Sequence, residues 1–402
     1  MPDDAVHRTQ GFHTLLSHAG RAGIHAHGFV NPAVVRGSTV LYPSCADRIA
    51  IGKRRLEQTL LYGTHGTPTH FALEDMIAAI EGGTRTQIVS TGLAAVTTPL
   101  LAFLSAGEHC LMPDSVYGPA RGFATRLLSR MGIETTFYAP DIGARELVPL
   151  FRENTRVLYL ESPGSHTFEM QDVPALAAAG HAHGLKVLMD NTWGLHFFQP
   201  FRHGVDVSIQ ALTKYALGHS DAVLGAVTTA NDGDWERLRN AALELGQSAG
   251  PDDCWLAIRG LRTLGIRLDR QMQSGLTVAS FLAARPEVHS VLHPALPGAP
   301  GHSIWKRDFS GAPSLFGVVF EPRFRPEATQ AMIDSLSLFG IGASWGGYES
   351  LALPTTGFLT RTAEPGKDFG GPAIRLHIGL EDPADLIADL EHGLAVLAAY
   401  AG

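Results

Sequence analysis

Two residues of opposite charge stand at the ends of apolar runs far apart in the chain. Asp190 follows Lys186-Val187-Leu188-Met189, and Lys214 closes Val207-Ser208-Ile209-Gln210-Ala211-Leu212-Thr213-Lys214. Each has an ordinary reading alone: an Asp after a strand is commonly a turn residue or a helix cap, and a single Lys is commonly a surface charge. Together, at one edge of one sheet, they suit a ligand with a protonated ring nitrogen and an aldehyde. The carboxylate pairs with the nitrogen and keeps the ring cationic, and the amine condenses with the aldehyde. These are the demands of pyridoxal 5′-phosphate (PLP). The lysine must be partly neutral to act as nucleophile and base, which burial and neighbouring charge arrange. A phosphate needs N–H donors at a helix N-terminus, and Ser90-Thr91-Gly92-Leu93 at a strand-to-helix junction offers them. By itself that tetrapeptide is equally an ordinary turn. Gly340-Ile341-Gly342 lacks the third glycine and the βαβ context of a dinucleotide loop.

These residues need a sheet to hold them. From about residue 66 helical and strand patterns alternate. Phe71 to Ile80 has apolar residues at helical spacing, stopped by Gly82-Gly83. Strand patterns occupy Gln87 to Val89, Glu108 to Met112, Ile133 to Tyr138, Arg156 to Leu160, Lys186 to Met189 and Val205 to Ile209. Helical patterns such as Arg121 to Met131 and Val173 to His183 lie between them. This alternation predicts crossover connections and a mostly parallel, buried sheet, whose ligands lie beyond the carboxyl ends of the strands. A helical segment from Asp234 to Leu245 and a long one from Asp253 to Leu282 follow, then the proline-rich link Pro294, Pro297, Pro300. Strand (Ser314 to Phe320), helix (Ala328 to Leu338), strand (Ala373 to Ile378) and a helix from Asp382 predict a smaller α+β unit. The expected division is an irregular arm over 1–63, a cofactor-binding α/β domain over 64–258 and a C-terminal α+β domain over 259–402.

Composition narrows the function classes. At 402 residues the chain exceeds the ~250–300 at which single cores stop growing. A net charge of -8, with Lys53-Arg54-Arg55 the only basic triplet, argues against a nucleic-acid footprint. The start, Met1-Pro2-Asp3-Asp4, has no signal-peptide character, and the apolar stretch from Leu93 to Ala106 is too short to cross a bilayer. Three dispersed cysteines, Cys45, Cys110 and Cys254, suit a reducing cytoplasm and offer no zinc spacing. The 19 histidines include no metal-ligating pair at helical spacing, so no metal is expected.

Further motifs lie in order along the chain: Tyr62-Gly63, His65-Gly66-Thr67-Pro68-Thr69-His70-Phe71, Glu161-Ser162-Pro163-Gly164-Ser165, Asp190-Asn191-Thr192-Trp193, Thr213-Lys214-Tyr215, Gly218-His219-Ser220-Asp221 and Ser344-Trp345-Gly346-Gly347-Tyr348-Glu349-Ser350. On these the sequence resembles the cysteine/methionine-metabolism PLP enzymes, within them the cystathionine β-lyase branch. The Trp of the last motif is the branch signal. The resemblance runs from about Tyr62 to Asp382. It implies the aspartate-aminotransferase (type I) PLP fold, with a large, mostly parallel sheet domain and a smaller α+β domain. It also implies a cytoplasmic homodimer or homotetramer acting on a small sulfur amino acid: β-elimination of L-cystathionine to homocysteine, pyruvate and ammonia, a step of methionine biosynthesis. Cysteine or cystine desulfhydration, transamination, and a regulatory role with a vestigial site are the alternatives.

The resemblance also implies roles. Lys214 is the Schiff-base lysine and proton shuttle, Asp190 pairs with the ring nitrogen, and Tyr117 stacks on the ring. Gly92 and Leu93 give amides, and Thr213 its hydroxyl, to the phosphate. Arg375 grips the α-carboxylate as a planar fork, with Ser344 and Trp345 in the same pocket. Tyr62 reaches into a neighbouring subunit's site. Two positions depart from the pattern. Thr64 stands where many relatives have an Arg on the phosphate, and Ala211 where many have Ser. A charge-assisted hydrogen bond contributes ~1.5–3 kcal/mol, so loss of the Arg weakens cofactor binding about tenfold or more, with His65 the nearest substitute.

Overall fold

The structure, a computed structural model, describes residues 11–21, 28–357 and 360–400. The Met1-Pro2-Asp3-Asp4 start lies outside the described residues. The strands read from apolar runs are present: β1 (Arg85–Val89), β2 (His109–Pro113), β3 (Glu134–Tyr138), β4 (Thr155–Glu161), β5 (Lys186–Asp190) and β6 (Val207–Gln210). A further strand, β7 (Gly225–Thr229), joins them in a seven-stranded sheet of order β1-β7-β6-β5-β4-β2-β3. The pairs among β2 to β6 are parallel, and β7 runs antiparallel to both β1 and β6. Its sequence, Gly-Ala-Val-Thr-Thr, is too small and polar to announce itself as an apolar run, yet every residue is buried. Such burial on both faces is what a sheet covered by crossover helices requires.

The crossovers end where the local chemistry says they should. Helix α3 (Pro68–Glu81) is preceded by α1 (Phe12–His18) and α2 (Cys45–Gly52); it starts on a proline and stops at Gly82, in the left-handed region at φ 74°. Helix α4 (Gly92–Phe103) starts at Thr91, whose side chain accepts from the Ala94 amide at 2.9 Å. Over its described residues the arm expected to be irregular over 1–63 holds two helices. Helix α1 buries Leu15 and Leu16 against the body, whereas α2 buries none of its residues.

The long helical pattern from Asp253 to Leu282 is two helices, α5 (Pro251–Arg262) and α6 (Leu264–Ala283), interrupted at Thr263. They lead to a second sheet of order β10-β11-β12-β9-β8, comprising β8 (Val288–Leu292), β9 (Leu315–Phe320), β10 (Gly340–Ile341), β11 (Leu351–Pro354) and β12 (Ala373–His377). Strand β8 was not anticipated, because its alternating Val-His-Ser-Val-Leu is too short a pattern. The closing helix α7 (Pro383–Ala399) packs Leu386, Leu390, Leu394 and Leu397 into a core shared with Phe316, Val318 and Phe320 of β9. Two further cores line the two faces of the large sheet. Each unit thus has an apolar interior of its own.

Candidate active site

Parallel strands β4, β5 and β6 bring their carboxyl ends to one edge, and a cavity of about 310 Å³ opens there. Asp190 is the last residue of β5, and its register partner on β4 is Glu161. Two carboxylates thus stand side by side on the cavity wall, Glu161 buried and Asp190 partly so. Burial raises both pKa values, and the Asp190 charge raises that of Glu161 further. Bonds from Thr192 oppose the rise at Asp190; its amide donates to the carboxylate at 3.0 Å. Glu161 accepts from the Tyr117 amide at 2.8 Å and from the Ser165 hydroxyl at 2.7 Å.

Lys214 was expected to end its strand. Instead β6 stops at Gln210, because the Ala211 amide leaves the ladder and donates to the Thr192 hydroxyl at 2.9 Å. Lys214 then sits in the turn beyond, its amide donating to Ala211 O at 3.1 Å. Its Nζ donates to Ser344 Oγ at 2.9 Å and lies 5.2 Å from the Trp345 ring. Burial and the nearby Arg375 guanidinium push the amine down to about 8, while Asp190 opposes them. An amine so placed is available in neutral form near neutral pH.

Helix α4 presents its N-terminus to the same cavity. The amides of Ala94 and Ala95 are taken by Thr91, whereas those of Gly92 and Leu93 find no partner among the described residues. A Cβ at Gly92 would lie 2.6 Å from the Ala211 side chain, so the helix and the turn after β6 approach as closely as a glycine allows. Thr213 lines the cavity, its hydroxyl donating to Leu224 O at 3.1 Å.

The second unit supplies Arg375 on β12 and Trp345 on the turn between β10 and β11. Arg375 Nη2 donates to the carbonyls of Ala343 and Ser344, each at 3.0 Å, which fixes the plane of the guanidinium. Burial lowers its pKa to about 10, which leaves it charged at neutral pH. Tyr117 lines the wall, with burial and the carboxylates Asp190 and Glu161 raising its phenol.

Comparison with known proteins decides the family. The family model described as "Cys/Met metabolism PLP-dependent enzyme" matches residues 13–395. The chain belongs to this family. It is 42% identical over 95% of its length to cystathionine beta-lyase MetC of Escherichia coli, of which it covers 98%. It is 44% identical over 95% of its length to cystathionine beta-lyase of Bordetella avium, covering 96% of that protein. Its fold superposes with a TM-score of 0.88 on the crystal structure of metB from Corynebacterium glutamicum, at 29% identity, with 97% of this chain and 99% of that one covered. The family's cofactor is PLP, and the residues of this cavity fit it. The spare amides above a glycine-only contact suit a phosphate, the buried carboxylate suits a ring cation, and the amine of lowered pKa suits an aldehyde.

Of the residues singled out in the sequence, Gly92, Leu93, Tyr117, Asp190, Thr213, Lys214, Trp345 and Arg375 all line the cavity, and Ser344 bonds Lys214. Tyr62 does not line it. That side chain is 49% exposed, on an arm held by a bridge to Thr39. Thr64 likewise lies away from it, 3.5 Å from His65. The sequence reading gave Glu161 and Thr192 no role, although the rule that ligands sit at carboxyl ends of strands points to Glu161 as directly as to Asp190. Among the described residues no helix is long and apolar enough to cross a membrane, and no cluster of ligating side chains could hold a metal.

Proposed function

We propose that this enzyme cleaves the carbon–sulfur bond of L-cystathionine by β-elimination, releasing homocysteine, pyruvate and ammonia. The observation that carries the reading is one cavity combining Lys214, Asp190 and Arg375 in a chain over 40% identical to two cystathionine beta-lyases. Arg375 receives the α-carboxylate in two parallel charge-assisted bonds, with its plane already set by the 343 and 344 carbonyls. Gly92, Leu93 and Thr213 hold the phosphate, and Tyr117 covers the ring. Asp190 stays ionised against the ring nitrogen, while Glu161, its neighbour, keeps a proton. When bound, PLP supplies the electron sink for the charge left on the substrate Cα. Lys214 Nζ takes the Cα proton, and Ser344 and Trp345 hold that amine in place. The Cβ–S bond then breaks with its electron pair on sulfur as the Cα–Cβ double bond forms. The thiolate takes up a proton to give homocysteine, and water hydrolyses the released aminoacrylate to pyruvate and ammonia.

We further propose the division 1–63, 64–258 and 259–402; its second boundary falls within α5, which links the two sheets. The working form is a homodimer or homotetramer in the cytoplasm, serving methionine biosynthesis. The arm supports self-association: α2 buries no side chain, and Phe29, Leu41 and Ile49 are 77%, 89% and 62% exposed. With Tyr62 exposed on the same arm, a second copy is the partner whose cavity it completes. The test is pyruvate formation from L-cystathionine, read through a coupled dehydrogenase. Faster turnover of L-cysteine or cystine would move the assignment to a desulfhydrase, and the absence of elimination from any of them would overturn it.

A further inference from the structure

The turn between β11 and β12 departs from the second sheet and fastens onto the first unit. Its residues 361–367 meet two loops there. The first follows β2, where Asp114 is fully buried. That carboxylate accepts from the Thr362 amide at 2.7 Å, the Ala363 amide at 2.6 Å and the Thr362 hydroxyl at 2.9 Å, and it pairs with Arg121. The second loop, 164–169, follows β4. Arg361, with 5% of its side chain exposed, pairs with Glu169 and donates to the Thr167 hydroxyl at 3.0 Å. Lys367 completes the cluster, 2.7 Å from Glu169 and 2.7 Å from Glu364.

Both loops form walls of the cavity. Asp114 is three residues before Tyr117, while Gly164, Ser165, His166 and Phe168 line the cavity directly. The loops are tied to one another by the Ser165 amide, which donates to Ser115 O at 2.9 Å. Within the second loop His166 and Phe168 hold φ of 65° and 54°, a conformation that costs a side-chain-bearing residue and persists only where neighbours impose it. On its other side the strap leads into β12, which carries Arg375. The strap is therefore the connection between the guanidinium on one unit and the walls it must face on the other. A pairing of buried charges is a poor source of stability but a good one of fixed geometry, because each partner is costly to leave alone.

We infer that Arg361 and Asp114 are positioning residues: through the strap they set where Arg375 stands relative to the Tyr117 and 164–169 walls, and so how well a substrate carboxylate is gripped. The inference rests on the reading of Arg375 as the carboxylate fork. A fork that must form two parallel bonds is sensitive to displacement, whereas chemistry at Lys214, held by its own turn, is less so.

The test uses the holoenzyme and two ligands that cannot undergo elimination, L-norvaline and n-butylamine, which differ only in the carboxylate. Each is titrated by the absorbance change of the bound cofactor, and the ratio of the two dissociation constants measures the grip. Wild type should prefer L-norvaline strongly. Arg361→Met should reduce that preference about tenfold, as loss of one well-formed bond of the fork does, with butylamine binding unchanged. Arg361→Lys, which retains the charge beside Glu169, should recover most of it. Should Arg361→Met not fold, Lys367→Met decides instead: its side chain is less buried, and the same loss on a smaller scale is expected. Wild type that does not distinguish the two ligands overturns the reading of Arg375 itself. A wild-type preference retained in the variants overturns the strap inference alone, even if their melting temperatures fall.

Discussion

Substitution of Gly92 by Ala tests the phosphate cradle at its tightest point. The added Cβ would lie 2.6 Å from the Ala211 Cβ and 3.3 Å from its Cα. Neither is the flexible end of a long side chain, so the start of α4 must retreat from the turn that leads to Lys214. Overpacking of this kind costs about 1–3 kcal/mol. If the strain falls on the spare amides of Gly92 and Leu93, the PLP dissociation constant rises by about 5- to 150-fold. The second arm removes the obstruction: Ala211→Gly in the Gly92→Ala background deletes the 2.6 Å contact, leaves the 3.3 Å one, and should restore most of the affinity. Apoprotein of wild type and the two variants is titrated with PLP, and apoprotein melting is recorded alongside. Unchanged affinity in Gly92→Ala would falsify the assignment of these amides to the phosphate. A lower apoprotein melting temperature without an affinity change would place the strain in the fold instead, and failure of Ala211→Gly to rescue would mean that the clash is not the cause.

Further outcomes are expected. Borohydride should fix the cofactor to Lys214 alone, and Lys214→Ala should abolish elimination; label in a peptide lacking Lys214 would refute the assignment. Arg375→Lys should raise KM strongly with a smaller change in kcat, because a point charge replaces a planar fork, and Asp190→Asn should lower kcat, both read by the coupled pyruvate assay. Thr64→Arg should tighten PLP binding and hold the oligomer together at greater dilution, an effect that shrinks with salt; PLP titration and sedimentation measure it. Glu81, fully buried beside Ser208, Gln210 and Asn191, has its carboxyl pushed up to about 8 by that burial, against 4.5 when free. Between those values the unfolded chain releases a proton that the native one keeps, so stability falls as pH rises from about 4.5 to 8. Glu81→Gln should flatten that slope in melting temperature measured across the range.

How the chemistry is distributed explains what could be read early. Asp190, Lys214 and the Thr91-Gly92 junction are local features: each follows an apolar run or starts a helix, and period and capping are written in neighbouring residues. The parallel sheet was legible for the same reason, since alternating patterns force crossovers. Strand β7 was not, because its small polar residues are held by their place between β1 and β6 rather than by their own propensity. The early end of β6 at Gln210 also depends on a partner remote in sequence, the Thr192 hydroxyl that takes the Ala211 amide. The pairing of Glu161 with Asp190 is a matter of register across two strands, and the strap from Arg361 to Glu169 joins residues 192 apart. Sequence alone determined which side chains could meet a cofactor, because that rests on residue type and local periodicity. Only the tertiary structure decided which carboxylate stands beside which and what fixes Arg375 against its wall, because those are distances between segments whose spacing along the chain carries no trace of them.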